Sequence, residues 1–330
     1  MKLATLKDGT RDGRLLVVST DLSLAVDAGV IAPTMLNAVE NWSETAPRLS
    51  ELYRDLNAGT ATNSFRLDPC NLHAPLPRTW QWLDGSTFHS HGDLMEKVFG
   101  STPPPDKHSI PLVYQGAGDD FLGPCDDVPL PSEADGMDFE AEVAIITGHA
   151  PMGTRAADAS ALIRLLMIVN DVSLRVIAAR EIRTGFGFGQ CKPASSFGPV
   201  AVTPDELGPG GWRDGRVQLP IRIEWNGKEF GRPHCGAMGF SFEQLIEHNA
   251  RTRNLSAGTV IGSGTISNEN YREVGSGCIA ERRGIELLDQ GKPVTEFMKF
   301  GDRVRIEMLD AAGRSVFGAI DQRYVRAPGA

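Results

Sequence analysis

Two glutamates one residue apart carry the strongest chemical signal in this sequence. They lie in Asp138-Phe139-Glu140-Ala141-Glu142-Val143-Ala144-Ile145-Ile146. On an extended strand both side chains point the same way, roughly 6–7 Å apart along the backbone. They lead into an apolar run that should be interior. Desolvation and mutual repulsion both oppose two charges there. A divalent cation removes both objections, and a solvated strand end is the plainer alternative.

Three further pieces could join them. Asn170-Asp171-Val172-Ser173-Leu174-Arg175 offers Asp171 as a third oxygen ligand and Arg175 as a fixed cation; a helix-ending aspartate with a surface arginine is the other reading. In Gln190-Cys191-Lys192-Pro193, Lys192 is either a buried cation or a loop lysine. His89 and His91 follow Trp82-Leu83-Asp84-Gly85 in aromatic company. They suit a core, a metal pair or acid–base work. Zinc finds no cysteines at suitable spacing nearby.

The elements that must position these residues are mostly strands. Leu15–Val18 and Leu22–Val26 read as short strands, and helices follow from Pro33 and through Leu49, Leu52, Tyr53 and Leu56 to a stop at Gly59. Asp68–Pro77 is a proline-bearing connector, which sets a small N-terminal domain at 1–75 and a catalytic domain at 76–330. Ala141–Thr147, Ile221–Trp225 before an Asn226-Gly227 turn, and Val304–Met308 are expected strands. Helices are expected over Ala157–Val169 and from Ser241, where Gln244 completes a capping box. The proline-rich Ser101–Lys107 reads as a surface loop or lid.

Composition narrows the classes. The chain has 330 residues, 41% of them hydrophobic, with 36 Gly and 21 Pro, a turn-rich globular makeup. A net charge of −9 argues against a nucleic-acid partner. No stretch has the length of a signal peptide core or a membrane span, so a cytoplasmic protein without a membrane partner is expected. Five cysteines more than 40 residues apart fit free thiols. No Walker loop, G-x-S-x-G or H-E-x-x-H is present, and Gly275–Ala280 matches a dinucleotide fingerprint by letter without a βαβ unit around it.

Taken together, the paired glutamates, Asn-Asp-x-Ser-x-Arg, the lysine before Phe197-Gly198-Pro199, and Ser263-Gly264-Thr265-Ile266-Ser267 resemble the fumarylacetoacetate hydrolase family in its long, two-domain form. The resemblance covers essentially the whole chain. It implies a mixed, β-rich (α+β) fold: a β-roll with a small N-terminal barrel-like domain, assembled as a homodimer with the site near the interface. It also implies one divalent metal on Asp84, Glu140, Glu142 and Asp171, with His91 as general base and Glu281 orienting it. Arg175 and Lys192 would stabilise the oxyanion and carbanion, while Tyr114 and Thr265 would contact substrate. All-oxygen ligation favours Mg²⁺ or Ca²⁺, with Mn²⁺ also suitable.

The activity so implied is hydrolysis of a C–C bond in a β-diketo acid, with fumarylacetoacetate the leading substrate. Two positions depart from the family pattern. Ala178 stands where a glutamine is expected to hold the alkoxide, and Gly100 stands where a substrate arginine is expected, with Lys97 close by. A β-keto acid decarboxylase, enol–keto isomerase or hydratase on the same site is therefore the competing reading. A non-catalytic, metal-stabilised binding module is the alternative from another class.

Overall fold

The computed structural model describes residues 1–99 and 104–329. Among them an eleven-stranded sheet organises the molecule. From one edge it runs Phe65–Arg66, Leu24–Asp27, Arg14–Val18, Lys2–Leu6, Ala201–Val202, Ile163–Asn170, Ala141–Thr147, Val260–Gly262, Trp82–Gly85 and Val113–Gly116. Ser196–Phe197 pairs beside Ile163–Asn170. Val260–Gly262 and Trp82–Gly85 run parallel, and the neighbouring pairs are antiparallel. The N-terminal strands form an antiparallel meander that continues into the large sheet where Lys2 and Leu3 meet Val202 and Ala201.

The central strands are buried on both faces, which is why they read as continuous apolar runs. Val143, Ile145, Leu166 and Ile168 belong to a core shared with Ile221, Ile223, Val304 and Ile306 of a second, five-stranded sheet. Ala144, Ile146, Leu165, Met167 and Val169 pack on the other side with Met35, Val39, Leu49 and Leu56 of the N-terminal helices. The mixed, β-rich fold is therefore as expected, and several local readings hold with it. Gly59 closes the Trp42–Ala58 helix in the left-handed conformation. Asn226 and Gly227 both take positive φ in the Ile221–Trp225 hairpin. Ser241 and Gln244 make the capping box.

One element differs. The expected helix over Ala157–Val169 is a single helical turn, Ala156–Ala159, followed by the strand Ile163–Asn170. A continuous apolar run fits a doubly buried strand as well as a helix, and here both sheet faces are covered. Two helices also carry residues not assigned to helices from sequence: His89–Phe99 and Ile279–Gln290. They pack on each other, and a Cβ at Gly284 would lie 2.9 Å from Val98 Cγ2 and 3.0 Å from Met95 Cε. Of the proline-rich segment, residues 101–103 lie outside the described residues, as does Gly100.

Candidate active site

Strand alternation builds the acidic centre. Asp84 follows Trp82 by two residues, Glu142 precedes Ala144 by two, and Asp171 follows Val169 by two. Trp82, Ala144 and Val169 share one face of the sheet. Register brings the strand ends together, with Glu142 opposite Val169 and Gly262 between Ala144 and Asp84. Asp84, Glu142 and Asp171 consequently offer oxygens within 4.8 Å of one another, all buried. Gly262 makes this possible, because a Cβ there would overlap Asp84 Oδ1 and lie 2.5 Å from Trp82 Cη2.

The acids are not equivalent. Asp84 Oδ1 accepts from Gly264 N–H at 3.0 Å. Asp171 accepts from Ser195 Oγ at 2.8 Å, from Tyr114 Oη at 2.6 Å and from Lys192 Nζ. Among the described residues, neither oxygen of Glu142 has a hydrogen-bond partner. Burial, then the charge of Asp171, pushes the Asp84 carboxyl well above its ordinary range. Burial, then Asp84, does the same to Glu142. A buried carboxylate with two orphaned oxygens, pressed against two others, is a donor set that suits a hard divalent cation.

Glu140 sits beside this group with its oxygens otherwise engaged. Oε1 accepts from Ser173 Oγ at 2.9 Å and pairs with Arg175 Nη2 at 2.5 Å. Oε2 accepts from Thr265 Oγ1 at 2.9 Å and Lys192 Nζ at 3.1 Å. Burial raises its pKa, but Lys192 and Arg175 outweigh burial and hold the carboxyl far below the usual range. Three of the four expected ligands thus converge, and the fourth bridges them to the cations.

Those cations are interior. Lys192 is 9% exposed, and although burial opposes its charge, Asp171 and Glu140 keep it protonated. Its ammonium lies 5.3 Å from the Tyr114 ring centre. Arg175 donates from Nε to Asp138 Oδ2 at 2.8 Å. Asp138 also accepts from Ile279 N–H and Ala280 N–H at 2.7 and 2.9 Å, so it caps the helix that carries Glu281. Sequence reasoning passed over Asp138 as a site residue, although it shares the strand period of Glu140 and Glu142. Ser173, Ser195 and Gly262 were missed as well; hydroxyls and a space-clearing glycine leave little signal without the register.

His91 stands at the edge of the site, 17% exposed, with Nδ1 facing Glu281 Oε1 at 3.9 Å. That Nδ1 has no hydrogen-bond partner among the described residues. Glu281 is fully buried and held by Ser267 Oγ and by Gly277 N–H at 2.9 Å. His89 lies apart, edge-on to His108 and Phe240. Burial, then His108, lowers its pKa.

Residues 81–324 match the family described as fumarylacetoacetate (FAA) hydrolase C-terminal. The chain belongs to the fumarylacetoacetate hydrolase family. Residues 1–78 match fumarylacetoacetase N-terminal domain 2. A 2,4-didehydro-3-deoxy-L-rhamnonate hydrolase of Sphingomonas sp. is 26% identical over 59% of this chain and 68% of its own. A mitochondrial oxaloacetate tautomerase of Bos taurus is 27% identical over 47% and 48%. Among solved structures, the fumarylacetoacetate hydrolase of Exiguobacterium antarcticum superposes with a TM-score of 0.67 at 18% identity, covering 99% of each chain. A maleylpyruvate hydrolase of Sphingobium sp., solved with manganese(II) and pyruvate, gives 0.65 at 18% identity over 99% of this chain and 100% of that one. These structures share the fold; the family's named members include both hydrolases and tautomerases. Among the described residues no helix is long and apolar enough to cross a membrane.

Proposed function

We propose that this protein is a divalent-metal-dependent hydrolase that cleaves a C–C bond in a β-diketo acid. Fumarylacetoacetate is the first substrate to test, with 2,4-diketo acids beside it. The carrying observation is the buried Asp84–Glu142–Asp171 group, with Glu142 unpartnered, set beside Lys192 and Arg175. Asp84, Glu142 and Asp171 would hold the cation, with Glu140 the adjoining fourth acid. Mg²⁺, Mn²⁺ and Ca²⁺ are the candidates, since the donors are all oxygen. The manganese in the maleylpyruvate hydrolase supports a metal of this kind. When bound, the cation supplies Lewis-acid polarisation of a diketo unit.

The chain's own residues do the rest. His91, facing Glu281, takes a proton from the attacking water. Lys192 and Arg175 stabilise the negative charge that develops on the attacked carbonyl oxygen. Tyr114 and Thr265 bound the substrate space through their bonds to Asp171 and Glu140. Exposed Val176, Ile182 and Phe186, on the segment between Arg175 and Lys192, support pairing with a second copy close to the site.

A second reading, enol–keto tautomerisation, draws on Ala178, which offers no amide where the hydrolase pattern has glutamine, and on the oxaloacetate tautomerases among the relatives. Metal-replete protein should be assayed against fumarylacetoacetate, acylpyruvates and enol-oxaloacetate with product identification. Two carboxylic products support hydrolysis; conversion without cleavage replaces it with tautomerisation.

A further inference from the structure

We infer that Ser267 and Ser90 form a proton path between buried Glu281 and an open groove beside the His89–Phe99 helix, an inference resting on the acid–base role given to His91. Ser267 donates to Glu281 Oε1 and is itself 1% exposed. Its Oγ lies 3.0 Å from Ser90 Oγ. Ser90 lines a groove of about 450 Å³ together with His234, Asn268 and Asn270. The chain of groups therefore touches solvent at one end and, at the other, the acid that faces His91 Nδ1 at 3.9 Å. That nitrogen is buried and otherwise unpartnered among the described residues, so a proton on it has Glu281 before it.

Hydrolytic cleavage releases the proton that this path carries. Water and R–CO–CH₂R′ give R–COO⁻, CH₃R′ and one proton per turnover. His91 Nε2 first takes a proton from the attacking water and returns it to the CH₂R′ carbanion. It then receives the proton of the new carboxylic acid, while Nδ1–H, once the ring shifts to close the 3.9 Å gap, passes one to Glu281 Oε1. Ser267 takes a proton from Glu281 and gives its own to Ser90, which gives its own to water in the groove. Each hydroxyl gains one proton and loses one, and rotation about the C–O bonds restores the resting direction. The path passes none of the three clustered acids.

The test uses the full chain, saturated with Mg²⁺ and labelled with ¹⁵N at histidine. Exchange of the His91 ring N–H with water is measured by NMR, the signal being assigned by its loss in His91→Ala. Ser267→Ala should slow that exchange at least about tenfold, and Ser267→Thr should restore it, as expected of a hydroxyl that passes protons. Ser90→Ala should slow it likewise, and it carries the test if Ser267→Ala unfolds. Unchanged exchange in a folded variant overturns the path. Slowed exchange in a protein that cleaves no diketo acid keeps the path and removes the hydrolytic reading. Cleavage with unchanged exchange does the reverse.

Discussion

At the scale of single residues, charge decides the behaviour of the site. Burial and then the neighbouring acid raise Asp84 and Glu142. A carboxyl whose folded pKa exceeds its unfolded value binds more protons when folded. Stability of metal-free protein therefore falls as pH rises from the unfolded value toward the folded one. Glu142→Gln should flatten that fall and raise the melting temperature of chelated protein at about pH 8 more than at about pH 5.5. Calorimetry at both pH values checks this, and the same variant should lose metal affinity. His91→Ala should lower turnover about 10²- to 10⁴-fold while still binding metal, the range ordinary for a general base. Lys192→Met should cost about 10²- to 10³-fold in kcat, as removal of an oxyanion donor does.

The elements explain why part of this site was legible in the sequence and part was not. Glu140 and Glu142 announced themselves because a period of two is visible in a row of letters. Asp171 was found despite a misread element: Ile163–Asn170 is a strand, but Asp171 still follows its last residue, donates its N–H to the Glu140 carbonyl at 3.0 Å and brings its carboxylate to Glu142. Asp138 was not singled out, because its partners Arg175, Ile279 and Ala280 are distant in sequence. Gly262 was missed because its use lies in what a side chain would strike. Gly262→Ala should accordingly lower metal affinity by an order of magnitude or more, read by titration calorimetry, since Asp84 must move to admit the methyl group. Gly284→Val should separate the helices bearing His91 and Glu281 and cost about 1–3 kcal/mol, as overpacking does, with kcat lowered and metal affinity kept.

Across the whole molecule, the small N-terminal and large catalytic domains read as separate in sequence share one sheet. The strand Lys2–Leu6 pairs with Ala201–Val202, which pairs in turn with the strand leading to Asp171. Helices from residues 35–58 cover the same sheet face from which the three acids project. Unfolding should therefore be a single calorimetric transition with a van't Hoff ratio of about 1. Metal should shift that whole transition upward, because a ligand of the folded state stabilises everything that unfolds with it. The proposed chemistry requires a cation at this site. Crystals grown with Mn²⁺ should give one anomalous difference peak enclosed by Asp84, Glu142 and Asp171, lost in Glu142→Gln. A clean map without density there, or a peak elsewhere with those carboxylates turned apart, would contradict it.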